Sequence, residues 1–445
     1  MEEPKRSPGQ TALLAAMGLF QVTWLVVRWL LMRDPDWSQL PVLIAFVIGV
    51  VLMAVLVPPG LLVRHQHLRG ALLRNERVLV LGLIAVVLVA GGAHASLRRF
   101  HGDEPPSFSA ATVVATDGIR DFFRKYGEIS WLGKQHPPLM SLVYGVAMRI
   151  LGIELWVARS ITLAFTAATI VVTYALGAEM YDRSTGLTAA QLMLSLPYCL
   201  HMGSMANNDM PVTFFFTLAM LLLVRLIRRP TYRLAVVTGT VMGAGMLTKY
   251  TMLLVYGAVP LIAVILKAPV RKLLPYLAVA LLLSAAILSV WLAYGYETGV
   301  LSKHIATVAK YVGVSSATEG GPLAAERRWK MHRRIEVMFA RLPSAVGAFS
   351  VPILLASAWQ LVRRRKQSDL LALAWVAAVS LPIVTLLPDS RYFLPAFPAL
   401  ALVMASGLQS QLGTAERPTF LALCCGAQAL YLYLVLTQSA RILGR

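Results

Sequence analysis

Residues 273–295, LLPYLAVALLLSAAILSVWLAYG, contain no charged side chain. A helix that crosses the ~30 Å hydrocarbon core of a bilayer needs about 20 consecutive, mostly apolar residues. Lipid offers no hydrogen-bond partners, so a spanning segment must satisfy its own backbone polar groups, as an α-helix does. A transmembrane β-strand needs only about 9–11 residues. The length and composition of this stretch therefore predict a membrane-spanning α-helix.

The rest of the chain has the same apolar character. Of its 445 residues, 58% are hydrophobic and only 14% are charged, and the mean hydropathy is +0.67. Soluble domains carry about 25% charged residues. The apolar runs fall at residues 10–32, 38–63, 77–97, 137–151, 155–179, 186–203, 210–227, 234–248, 250–266, 273–295, 344–362, 370–387, 394–411 and 418–437. This pattern predicts an all-α polytopic membrane protein.

The formal net charge of +20 does not indicate a nucleic-acid partner. Basic residues occur in short clusters between the apolar runs, a distribution typical of the cytoplasmic loops of membrane proteins. Four such clusters span residues 64–77, 225–233, 267–272 and 363–366. We expect all four to face the cytoplasm, in a multi-pass protein of the plasma or inner membrane.

These clusters constrain the topology. If every apolar run crossed the membrane, the last three clusters would face outward. The run 137–151 is the best candidate for a helix that does not cross, because it is short, begins with two prolines and carries Arg149. About 13 transmembrane helices then remain, with the N-terminus inside and the C-terminus outside. Two long loops lie outside, and the first contains an amphipathic juxtamembrane helix at 109–126.

We divide the chain into four parts on this basis. Residues 1–75 hold two extra N-terminal transmembrane helices, and residues 76–295 form a catalytic transmembrane core with a first outer loop at 98–154. Residues 296–343 form an outer basic loop, and residues 344–445 hold four C-terminal transmembrane helices. The cysteines lie within apolar runs and make no metal motif; they are Cys199, Cys424 and Cys425.

Few polar residues adjoin the membrane spans on the outer side. They are Asp103 and Glu104; Lys134 and His136; Asn207, Asn208 and Asp209; Lys249; and Asp389, Arg391 and Tyr392. Acids and bases gathered at one membrane surface form a default active-site hypothesis. Each group also has a plain alternative: solvated loop acids, a capped helix start at Asp209, a snorkelling Lys249, an interfacial Tyr392 or a turn at His136.

The order and spacing of these groups resemble the GT-C membrane glycosyltransferases, specifically the branch of the protein O-mannosyltransferases and the aminoarabinose transferase. The resemblance extends from about residue 103 to about residue 408. The elements that carry it are Asp103-Glu104, His136-Pro137-Pro138-Leu139, Ala158-Arg159, Asp209-Met210-Pro211, Leu247-Thr248-Lys249 and Arg391-Tyr392-Phe393-Leu394-Pro395.

The resemblance implies an enzyme that moves a hexosyl or pentosyl group from a polyprenyl-phosphate donor to an acceptor on the periplasmic or extracellular face, with inversion. Catalytic roles are expected for Asp103, Glu104 and Asp209, with Asp103 as the general base. Residues expected to bind the donor phosphate are Lys134, His136, Lys249, Arg391 and Tyr392. No cofactor or metal is predicted, and a divalent cation near Asp103 and Asp209 stays open. Membrane lipids are the other expected partners, and the acceptor (protein, lipid or glycan) is not identified.

Some features depart from that family and leave other functions open. The two spans within 10–63 precede the usual first helix, Pro105-Pro106 follows the acidic pair, and we expect no large C-terminal outer domain. A secondary transporter and a ligase for lipid-linked glycans remain as alternatives. Transporters place polar residues near the bilayer midplane, whereas these residues collect at one face, which favours the enzyme.

The topology can be tested by labelling from the two sides of the membrane. A single cysteine introduced within 109–126 should react with a membrane-impermeant thiol reagent added to intact cells, because this helix is expected outside. A cysteine introduced beside Arg228 should react only after the membrane is opened. Labelling beside Arg228 from the outside alone would contradict the topology.

Overall fold

The computed structural model describes residues 76–95, 100, 104–129, 136–312, 342–347, 350–386 and 389–411. The two helices predicted within 1–75, the basic stretch 313–341 and the last predicted helix, 418–437, lie outside these residues. So do two of the predicted site residues, Asp103 and Lys134.

The described residues form helices and no strand. Two are short 3₁₀ helices, Tyr250–Leu253 and Ser390–Ala396. The α-helices are α1 Glu76–Ala95, α2 Glu104–Arg124, α3 Leu139–Leu151, α4 Leu155–Met180, α5 Arg183–Ser195, α6 Pro197–Gly203, α7 Asp209–Arg228, α8 Tyr232–Thr248, α9 Leu254–Ile265, α10 Val270–Glu297, α11 Val300–Val312, α12 Leu342–Val346, α13 Ser350–Arg364, α14 Gln367–Leu386 and α15 Phe397–Gln411.

Several helical segments can cross a membrane by length and composition. Among the described residues these are Leu155–Met180, Asp209–Arg228, Val270–Glu297, Gln367–Val384 and Ser390–Ser410. The predicted all-α polytopic membrane fold is confirmed. The number of 13 spans stays a prediction, because 10–63 and 418–437 lie outside the described residues.

The apolar run 186–203 reads as one span, yet it forms two helices, α5 and α6. The break falls at Leu196, whose ψ of 121° is extended, and at Pro197, which has no N–H to continue the helix. Helix α6 ends at Gly203, and the turn 204–208 leads into α7. The break therefore supplies the turn that carries the candidate site.

The two helices in the segment predicted as the first outer loop, 98–154, also differ slightly from expectation. Helix α2 begins at Glu104, ahead of the predicted 109–126, and is interrupted at Gly118, where φ is 88°. Helix α3 occupies the run 137–151 from Leu139 onward. The two helices pack closely, since a Cβ on Gly145 of α3 would lie 2.6 Å from the carbonyl oxygen of Ala111 in α2.

Basic side chains from separate loops meet at one end of the bundle, here called the basic end. Arg225 and Arg228, in the last turn of α7, pair with Glu179 in the last turn of α4, at 3.2 Å and 3.3 Å. The Ser368 hydroxyl, at the start of α14, donates to the Met180 carbonyl. Helices α4 and α7 therefore run in the same direction, and the loop before α14 lies at the same end.

Helix α10 runs parallel to α8, which extends this arrangement to a third loop. The rings of Tyr232 and Tyr276, near the starts of the two helices, lie 4.7 Å apart. Further along, Gly239 packs on Ala280 and Gly243 on Ile287. The basic loop 267–272, which precedes α10, therefore also lies at the basic end, as the charge pattern predicted.

Close packing of α8 on α10 depends on glycine. A Cβ at Gly239 would meet the Ala280 carbonyl oxygen at 2.6 Å, so Gly239→Ala should destabilise the protein by about 1–3 kcal/mol. Gly82 in α1 has nothing within 4 Å of its Cβ position, so Gly82→Ala should be neutral or stabilising. Thermal unfolding in detergent measures both variants, and equal behaviour would contradict the packing argument.

Candidate active site

The turn 204–208 between α6 and α7 is fixed by its own polar groups and by α3. The Asn207 amide donates to the Met202 carbonyl at 3.0 Å, and its oxygen accepts from the Asp209 backbone N–H at 2.8 Å. The Tyr144 hydroxyl donates to the Asn207 carbonyl at 2.7 Å. These bonds satisfy buried backbone groups and hold Asp209 at the first position of α7.

A buried ion pair with Arg159 holds Glu104 against this turn. Its two carboxylate oxygens accept from Arg159 Nε at 2.8 Å and Arg159 Nη2 at 2.6 Å. One oxygen also accepts from the Ala206 backbone N–H at 2.7 Å. Both side chains are 0% exposed. The pair therefore joins the start of α2 to α4 and to the turn before α7.

Asp209 pairs with Lys249, which directly follows α8. Lys249 Nζ lies 2.5 Å from Asp209 Oδ1, and both side chains are largely buried. The same ammonium group lies 4.5 Å from the centre of the Tyr392 ring, within the range of a cation–π contact. Asp209 and Tyr392, which adjoin two different apolar segments, thus both contact the ammonium group of Lys249 at the end of a third.

Arg391 forms a further ion pair beside this cluster. Its Nη2 lies 3.3 Å from Asp389 Oδ2, and its backbone N–H donates to Asp389 Oδ1 at 3.0 Å. Burial raises the pKa of Asp389, but the positive charges of Arg391 and Lys249 outweigh burial and leave the pKa below its usual value. Asp389 is therefore ionised at neutral pH.

His136 is buried against the same cations. The Tyr126 hydroxyl donates to the His136 carbonyl oxygen. Burial, followed by the charge of Lys249 and by His304 and Arg391, lowers the pKa of His136 well below its usual value. The imidazole is thus neutral at neutral pH in this state.

Tyr126, Trp291 and Tyr250 form an aromatic cluster next to His136. The sequence analysis did not predict this cluster. The Trp291 ring packs on Tyr126 at 4.8 Å, and its indole N–H donates to the Tyr250 hydroxyl at 2.9 Å. Tyr250 in turn lies 2.8 Å from His304 Nδ1. Tyr250 adjoins Lys249 in sequence, which was the available signal, whereas nothing in the sequence of α11 marks His304.

The structure brings the described candidate residues to one end of the bundle, opposite the basic end. This cluster, here called the site end, consists of Glu104, His136, Asp209, Lys249, Arg391 and Tyr392. Asp103 and Lys134 lie outside the described residues, but Asp103 adjoins Glu104 in sequence. Within the described part of the chain, no group of three or more His, Cys, Asp or Glu side chains could hold a metal ion.

The Glu104–Arg159 pair should dominate the stability of this region. Glu104→Gln leaves a buried guanidinium without its counter-ion, and such losses cost about 3–5 kcal/mol. Replacing both residues with methionine should recover part of the loss, because no buried charge remains. Asp117→Asn, at the exposed Lys125–Asp117 pair, is the control and should change the melting temperature little. Equal melting temperatures for Glu104→Gln and Asp117→Asn would contradict this view.

Part of the chain matches a known family model. The family model described as dolichyl-phosphate-mannose-protein mannosyltransferase matches residues 135–294. Comparison with curated protein sequences found no match.

Two solved structures share the fold. ArnT from Cupriavidus metallidurans, bound to undecaprenyl phosphate, is 16% identical with a TM-score of 0.54, over 75% of this chain and 60% of that one. The archaeal oligosaccharyltransferase AglB from Archaeoglobus fulgidus, in complex with an inhibitory peptide and a dolichol-phosphate, is 13% identical with a TM-score of 0.53, over 82% of this chain and 56% of that one. The chain thus spans less than two thirds of either protein. Its fold is that of the GT-C membrane glycosyltransferases, as its motifs predicted.

Proposed function

We propose that this chain is a glycosyltransferase that transfers a sugar from a polyprenyl-phosphate donor to an acceptor at the outer face of the membrane. The observation that carries the proposal is the meeting of Asp209, Lys249, His136 and Arg391 at one end of a GT-C fold. Similar proteins have been solved with undecaprenyl phosphate and with a dolichol-phosphate, which are both polyprenyl phosphates.

The site end suits a donor whose phosphate lies at the membrane interface. Lys249 and Arg391 reach it from different segments, and the guanidinium can make forked contacts to phosphate oxygens. The ring of Tyr392 lies beside both cations. Together with His136 and Lys134, these groups would hold the donor phosphate and stabilise the charge that develops on it as the sugar leaves.

Asp103 is the proposed general base. It adjoins Glu104, whose oxygens already accept three hydrogen bonds from Arg159 and Ala206. A carboxylate held in this way is poorly available as a base, so we assign Glu104 to positioning its neighbour. Asp209, paired with Lys249, would orient the acceptor and the lysine.

The reaction would be a single displacement. The acceptor oxygen attacks the anomeric carbon, its proton passes to the Asp103 carboxylate, and the bond from the anomeric carbon to the phosphate oxygen breaks with its electrons going to the phosphate. Attack opposite the leaving phosphate inverts the anomeric centre. No covalent enzyme intermediate is needed.

The orientation follows from the charge distribution. Loops rich in Lys and Arg stay in the cytoplasm, and those containing Arg228, Lys267 and Arg364 lie at the basic end. The site end would then face outward, where lipid-linked sugars meet secreted acceptors. A ligase for lipid-linked glycans remains the second candidate, because the similarity to an oligosaccharyltransferase covers 82% of the chain.

Purified protein incubated with a panel of radiolabelled polyprenyl-phosphate sugars tests the proposal directly. Release of polyprenyl phosphate together with a labelled product supports a transferase. Consumption of oligosaccharide donors alone would favour the ligase. Solute movement into liposomes without donor consumption would favour a transporter and overturn the proposal.

Asp103→Asn should lower turnover by about 10²–10⁴-fold while donor binding is unchanged, because the amide keeps its size but cannot accept the proton. Arg391→Ala should weaken donor binding as well as turnover, since its charge also acts on the ground-state phosphate. Turnover and donor affinity, measured separately, distinguish the two effects.

The control for Asp103→Asn is Glu104→Gln, with turnover expressed per folded protein. Because Glu104 positions the base and does not accept the proton, turnover per folded protein should fall less in Glu104→Gln than in Asp103→Asn. Near-normal turnover of Asp103→Asn, or an equal or greater loss in folded Glu104→Gln, would contradict the assignment of the base.

A further inference from the structure

The two described cations assigned to the donor phosphate are each paired with a carboxylate. Lys249 pairs with Asp209, and Arg391 pairs with Asp389. A phosphate that enters this buried region adds a negative charge, and burying a charge without compensation is costly. Besides Lys134, which lies outside the described residues, groups that alter their protonation near neutral pH can supply the compensating charge.

Two buried histidines lie at this place, and histidine is the side chain whose charge changes in that range. His304, on α11, is 4% exposed and His136 is 7% exposed. Tyr126 and Trp291 link them, because the Tyr126 hydroxyl donates to the His136 carbonyl oxygen and its ring packs on Trp291, whose ring centre lies 6.2 Å from that of His304.

The aromatic cluster fixes the ring of His304. The Trp291 indole N–H can only donate, so it occupies a lone pair of the Tyr250 oxygen. The Tyr250 hydroxyl also lies 2.8 Å from His304 Nδ1, and it donates to that nitrogen in the tautomer that carries the imidazole proton on Nε2. In this tautomer the neutral ring can donate a hydrogen bond through Nε2, and a second proton would enter at Nδ1 with rotation of the tyrosine hydroxyl.

We propose that His304 is a further residue of the donor site and that, with His136, it forms a pair that takes up one proton from solvent when the lipid phosphate binds. The inference deepens the proposed function and rests on it, because it assumes a polyprenyl phosphodiester as the ligand. The pair takes up only one additional proton, because a second would create two neighbouring imidazolium groups that repel each other.

The charges around the pair set the direction of the pH dependence. Tyr126 and Tyr250 contact the two histidine residues, and Lys249 and Arg391 act on His136 electrostatically. Asp209 and Asp389 pair with those two cations, and Lys303, next to His304 in α11, donates to the Gly127 carbonyl. Burial, Lys249, His304 and Arg391 lower the pKa of His136 in the empty site, whereas a bound anion acts in the opposite direction. Binding should therefore be tightest at low pH and weaken by up to about tenfold per pH unit over the range in which the complex keeps a proton that the empty site has lost.

The proton also has a use in the reaction. When the bond to the sugar breaks, the phosphate gains a second negative charge, and the imidazolium can donate a hydrogen bond to the departing oxygen. The acceptor's proton still passes to Asp103. The proton on the histidine pair comes from solvent during binding and returns to it when the lipid phosphate is released.

The test is isothermal titration calorimetry of the full chain with decaprenyl methyl phosphate, a diester that has no sugar and whose phosphate charge does not titrate near neutral pH. Titrations in buffers of different ionisation enthalpy, from about pH 6 to about pH 8, count the protons taken up. We expect about one proton per lipid bound and none for the double variant His136→Gln/His304→Gln. His201→Gln, a histidine of α6, is the matched control and should keep the uptake.

The outcomes separate this inference from the proposed function. Binding of the diester without proton uptake, or unchanged uptake in a folded double variant, overturns the histidine pair and leaves the transferase standing. Absence of binding at every pH overturns the histidine pair as a lipid-phosphate site. Sugar transfer in the donor assay, measured on the same preparation, decides the proposed function independently.

Discussion

The buried pairing of Glu104 with Arg159 is the interaction on which the geometry of the site end depends. It joins helix α2 to helix α4, which is long and apolar enough to span a membrane, and through Ala206 it reaches the turn before α7. Two charges taken out of water require both good geometry and further hydrogen bonds, and this pair has both.

Helix direction then determines which loops can meet. Helices α4 and α7 run from the site end to the basic end, and α8 and α10 run back. Close contacts at small residues hold these directions, as at Gly239 against Ala280 and at Gly177 against Gly186. The segments that end at Lys249 and begin at Asp209 consequently emerge side by side. The candidate site residues are therefore brought together by helix packing and not by one local sequence motif.

The sequence predicted most of this arrangement but not its pairings. Apolar runs located the described helices well, because a membrane span leaves a long and unmistakable pattern. Basic loops predicted which ends share a side, and the structure places three of the four clusters together. The break at Pro197 was missed because composition alone cannot separate one long span from two short helices. The burial of Glu104 was missed because its partner, Arg159, is distant in sequence and lies inside an apolar helix.

The location of the ion pairs at one end of the helix bundle also favours the proposed glycosyltransferase over a transporter. A transporter must offer its site to both sides of the membrane, so its polar residues lie near the midplane. Here Asp209, Lys249 and Arg391 lie at helix ends. Towards the middle of the bundle, α7 presents apolar side chains such as Phe216, which stacks on Trp375. A lipid phosphate sits at the interface while its chain stays in the hydrocarbon. A site confined to one rim therefore matches a donor that never has to leave the membrane.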